Sequence, residues 1–129
     1  MFAQKLPPSV GQREMRLYAQ LLAMTDTRQF DTALIDRALA ESWPALRAAA
    51  TLAIGQVGAE RAMPRISRLR ALLTDKDVTV AANAAYAIGL LRDSASIAAL
   101  STALSANHEV AREAAWAMGE IGAPARNAI

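Results

Sequence analysis

Residues 80–91 read VAANAAYAIGLL, with Val80 first and Leu91 last. The stretch has helical spacing, is rich in small side chains and carries Gly89 near its end, where the pattern predicts that the helix closes. Three further stretches repeat it: LRAAATLAIG at 46–55, VAREAAWAMG at 110–119 and a diverged copy, MRLYAQLLAM, at 15–24. The first apolar position falls at 15, 46, 80 and 110, so the period is 31, 34 and 30 residues. A period of this length implies stacked supersecondary units rather than one globular core.

Between the copies lie shorter amphipathic segments. Residues 28–40 place Phe30, Leu34, Ile35, Ala38 and Leu39 on one stripe, and residues 62–73 do the same with Ile66, Leu69, Leu72 and Leu73. A third stripe is Ile97, Leu100 and Leu104, introduced by Asp93 and Ser94 as cap residues. These segments have one apolar face, as a helix at a surface does, whereas the copies are apolar nearly all round, as a helix packed on most sides is. Pro44 suits the first turn of the helix over 44–56, and Gly55 and Gly58 are expected to stop it in the left-handed conformation. Asn107 is expected to cap a last helix over 109–121.

The predicted fold is therefore all-α, an α-α superhelix of about three helical hairpins plus an N-terminal helix. Residues 1–11, with Pro7, Pro8 and Gly11, read as a flexible leader. Residues 12–129 read as one repeat domain: a partial unit at 12–27, full units at 28–58, 59–92 and 93–123, and at 124–129 the start of a truncated next unit. The chain is then expected to be the arm of a longer protein.

Composition narrows the function classes. The chain of 129 residues is 53% hydrophobic but only 5% aromatic, which suits close helix contact better than a β-sandwich. Fourteen Lys and Arg face twelve Asp and Glu, a surplus of two that argues against nucleic acid as the partner. No Cys is present, so thiolate metal sites and disulfides are excluded. A cytoplasmic location fits this, and a periplasmic one fits if a signal peptide was removed. Charged and polar residues interrupt every apolar run before membrane-spanning length.

The units resemble HEAT-like repeats, in particular the short form found in phycobilin lyase subunits. The pattern that carries the resemblance is LRAAATLAIGQVG at 46–58, VAANAAYAIGLLR at 80–92 and VAREAAWAMGEIG at 110–122. It spans residues 12–123. The resemblance implies a non-enzymatic scaffold that binds a protein partner, with no cofactor. Its enzymatic alternatives are a phycobilin lyase-like subunit, or an arm fused to a catalytic domain such as a cyclophilin-like prolyl isomerase. Deoxyhypusine hydroxylase, also built from such repeats, holds iron with His-Glu pairs on its inner helices. The matching pairs here are Ala48-Ala49, Ala82-Asn83 and Arg112-Glu113, none of which has the His. The single His108 lies four residues early and reads as a turn residue.

Three surface features are candidates for contact. Repeat register aligns Tyr18, Ala49, Asn83 and Glu113 in one column and Leu21, Leu52, Tyr86 and Trp116 in the next. On a concave face Tyr86 and Trp116, with Tyr18, Asn83, Arg112 and Glu113 nearby, would meet a partner, because aromatics with a polar tip serve well at interfaces. Read instead as packing, Tyr86 and Trp116 are large residues filling the space between repeats. Arg61, Arg65 and Arg68 fall on one face of an outer helix as a basic stripe, which is either a solvated face or a site for an acidic partner. Last, the helix beginning at Val110 carries no polar outer face, so its end is expected to support self-association.

Overall fold

The computed structural model describes residues 11–27 and 31–128, among which there is no strand. Residues 1–10 of the expected leader, Phe30 with the rest of 28–30, and Ile129 lie outside them. Helix α1 spans Gln12–Thr27. The Glu14 carboxylate reaches back to accept the Gly11 N–H at 3.0 Å, one half of a capping box. Helix α2 spans Thr32–Leu39, four residues later than expected, because the Asp31 side chain caps it by accepting the Leu34 N–H at 3.1 Å. Helix α3 is Pro44–Gln56.

The second outer helix is broken where the sequence suggests one rod. It consists of α4 (Ala59–Ala62), a 3-10 turn at Met63–Arg65 and α5 (Ile66–Leu72). Pro64 sits in the break, lacking the N–H that a continuous helix would use. Helix α6 is Val78–Leu91, capped by Asp77 accepting the Val80 N–H at 3.1 Å. A 3-10 turn at Ser94–Ser96 leads into α7 (Ile97–Ala103). Asp93 precedes it without capping it: the carboxylate takes the Ser96 hydroxyl at 2.6 Å and Arg70 Nη2 at 3.2 Å instead.

Helix α8 runs over His108–Ala128, through the break expected between Ile121 and Pro124. Glycine ends a helix when it turns left-handed, and among the described glycines only Gly58, at φ 94, does so. Gly58 follows α3 as the sequence suggests. Gly55 and Gly89, expected to stop their helices, lie inside them; α6 is closed by Arg92 in the left-handed region, φ 52 and ψ 44.

The helices form two layers. In the inner layer α1 packs on α3, α3 on α6 and α6 on α8. In the outer layer α2 covers α3, α5 covers α6 and α7 covers α8. Ala50, Ala84, Ala85, Ala87, Ala114 and Ala117 are wholly buried in the inner layer, where short side chains let the helices approach. Leu46, Ile54, Leu69, Ile88 and Leu100 fill the space between layers. Each contributes about 2 kcal/mol by leaving water, so stability is spread along the stack.

Ion pairs between successive units accompany the apolar contacts. Arg13 reaches Glu41 at 2.9 Å, Arg65 pairs with Asp36 at 2.9 Å, Arg70 with Asp93 at 3.2 Å and Arg92 with Glu120 at 3.4 Å. The most buried joins Arg47 of α3 to Asp75 in the turn before α6: Nε and Nη2 each donate at 3.1 Å. Burial by itself would raise the Asp75 carboxyl, but Arg47 and the Asp77 N–H outweigh it and hold the group below its ordinary value.

Candidate functional site

The inner layer presents the two predicted columns, and the structure divides their members. Tyr86 on α6 and Trp116 on α8 stack with ring centroids 5.0 Å apart and planes 23° from parallel. The stack forms because Gly89 has no side chain: Cζ3 of Trp116 lies 2.6 Å from where a Cβ on Gly89 would stand. Trp116 is thus held against the neighbouring helix yet remains 38% exposed. Tyr18 is half-buried and belongs to a different pair, with Trp43, at a centroid distance of 5.5 Å. Asn83 turns its amide inward and donates to the Ala48 carbonyl at 3.0 Å, joining α6 to α3. Arg112 is exposed, with Nε 4.0 Å from the half-buried Glu113 carboxylate.

The basic stripe is dispersed over three elements. Arg61 is in α4, Arg65 in the 3-10 turn and Arg68 in α5. Arg61 and Arg68 are exposed, but Arg65 is engaged by both oxygens of Asp36, at 3.0 and 2.9 Å. Its charge is therefore neutralised within the stack rather than offered to a partner. His108 is the exposed first residue of α8.

A feature the residue columns do not reveal is the flank of α8. Repeat register relates Thr51, Ala85 and Ala115, and likewise Gly55, Gly89 and Gly119. Thr51 and Ala85 are wholly buried, whereas Ala115 is exposed. A Cβ on Gly55 would meet Ala87 at 2.8 Å, and one on Gly89 would meet Ala117 at 2.9 Å. Among the described residues, a Cβ on Gly119 would meet nothing within 4 Å. Gly55 and Gly89 are sockets for the following helix, and Gly119 is the same socket standing open. The three aligned Gly residues carry this signal in the sequence, but only packing distinguishes a socket from a helix stop.

Among the described residues no three of His, Cys, Asp and Glu gather as a metal ligand set, and no helix is long and apolar enough to cross a membrane. Residues 66–128 match the family model described as HEAT repeats. No curated protein matches the chain.

Proposed function

The chain is a HEAT-like repeat protein, and from that premise we propose that it is a non-enzymatic scaffold that binds protein through the open flank of α8. HEAT repeats commonly serve as protein-interaction scaffolds. The observation that carries the reading is the contrast between Gly119 and its repeat counterparts, Gly55 and Gly89. An inner helix elsewhere in the chain is accommodated by such a socket, so a helix with a small residue at the point of contact fits this one. Trp116, exposed and fixed by its stack on Tyr86, supplies an aromatic anchor beside the flank. Arg112 and Glu113 give the rim a charge of each sign.

In the isolated 129-residue chain the occupant is a second copy. Light scattering should therefore find dimers or larger species, and Ala115→Arg should return them to monomers with helicity and denaturation midpoint retained. A chain that stays monomeric at high concentration would overturn self-association. For a protein partner, replacing both Tyr86 and Trp116 with Ala should abolish capture while helicity survives, and undiminished capture would return both rings to a packing role.

A further inference from the structure

The turns that lead from outer to inner helices carry a second register, counted from the residue that caps each inner helix: Trp43, Asp77 and Asn107. One residue before the cap stand Ser42, Lys76 and Ala106; two before it stand Glu41, Asp75 and Ser105; four after it stand Arg47, Ala81 and Ala111. At the first junction between units Arg13 holds Glu41 at 2.9 Å. At the second, Arg47 is only 9% exposed and fills the space between turns. Its Nη1 donates to the carbonyls of Glu41 and Ser42 at 2.9 and 3.0 Å, while its other nitrogens pair with Asp75.

The third junction has no such arginine. Ala81 stands where Arg47 would, Ser105 where Asp75 would, and a cleft of about 390 Å³ opens between the turns. Its lining includes Asp75 and Lys76, whose carbonyls correspond to those that Arg47 uses, together with Ser105. Neither of those two carbonyls accepts a hydrogen bond from a described backbone N–H outside the helices. Leu73, Ala81 and Val110 supply an apolar wall.

We propose that this cleft receives an arginine side chain from a protein partner. The carbonyls of Asp75 and Lys76 and the Ser105 hydroxyl accept the guanidinium, and the apolar wall covers its methylene stem. Arginine is favoured over lysine because acceptors supplied by three separate residues suit a fork of N–H donors better than a point charge. The chain itself is the precedent, since it seats its own Arg47 between equivalent turns. The proposal rests on the scaffold reading only for the source of the arginine; the cleft lies at the turn edge and can fail while α8 still associates, or the reverse.

The test is an NMR titration of the full 129-residue chain with a short peptide, blocked at both ends, that carries one arginine. Shifts should concentrate on the amides of Asp75, Lys76, Ala81 and Ser105, and the same peptide with citrulline or lysine should bind more weakly. Ser105→Asp should tighten arginine binding roughly tenfold, because the cationic guanidinium then meets a carboxylate in place of a neutral hydroxyl acceptor. Ala81→Arg should fill the cleft from within, abolish binding and raise the denaturation midpoint. Absence of localised shifts in both the native chain and the Ser105→Asp variant would overturn the proposal. Equal binding of the citrulline peptide would overturn the charge recognition, and tighter binding of free arginine than of the peptide would overturn the protein partner.

Discussion

Three glycines occupy the same place in three inner helices and have different neighbours. Gly55 and Gly89 each touch the backbone of the next helix, at 2.8 and 2.9 Å from a notional Cβ, so an added methyl group must push helices apart. Gly89→Ala should therefore destabilise the chain by about 1–3 kcal/mol, as overpacking does, and should disturb the Trp116 fluorescence because the ring lies on the same spot. Within one copy of the chain Gly119→Ala has nothing within 4 Å among the described residues, and at concentrations that keep the chain monomeric alanine is the better helix former by about 1 kcal/mol. It should raise the denaturation midpoint, and equal effects at the two positions would refute the socket reading. Arg92 offers a second test at this scale. Its left-handed backbone is unfavourable for a residue with a Cβ by about 1 kcal/mol, and its pair with Glu120 at 3.4 Å is too exposed to offset much. Arg92→Gly should raise the midpoint in urea denaturation; a fall would mean that the Glu120 contact matters more than the strain.

At the scale of elements, α6 is the helix with neighbours on every side: α3, α5 and α8. Its small residues follow from that position. Ala84, Ala85 and Ala87 are fully buried, and none has room to grow. Replacing Ala84 with Leu should lower stability by about 1–3 kcal/mol, and an unchanged midpoint would show that the stack can open. That α6 is central was legible in its sequence, because nearly every face is apolar. The outer helices were less legible. Pro64 interrupts one of them within a stripe that otherwise reads as continuous, and α8 passes through Gly122 and Pro124, which read as a stop. Local breakers state only a preference, which the chain follows at Pro64 and overrides at Gly122 and Pro124.

At the scale of the whole molecule, successive units are tied by charge as well as by apolar contact, and this gives stability an acid limit. Asp75 titrates below its ordinary value in the folded chain, so its pairing with Arg47 stabilises the fold fully above the unfolded value of about 3.9. That contribution declines as pH falls through the lower folded value. Asp75→Asn should destabilise the chain at neutral pH, because it leaves the largely buried Arg47 without its counter-ion. The difference between variant and native chain should narrow under acid. A difference that does not change between pH 7 and pH 2 would assign the loss to packing instead of charge.

The sequence by itself determined the repeat, the helical class, the order of inner and outer helices and the placement of small residues along the inner layer. The repeat and the helix order follow from a period of 30–34 residues, and the small residues from periodicity within single helices, where a helix records which of its sides meets protein. Tertiary structure alone decided that Gly55 and Gly89 are sockets, that Asn83 faces inward, that Arg65 belongs to Asp36 and that the flank at Gly119 is open. Those outcomes depend on partners in the neighbouring unit: Asn83 bonds a carbonyl 35 residues away, and Arg47 an acid 28 residues away. No local pattern encodes such a pairing, because it depends on how far one helix is shifted and rotated against the next.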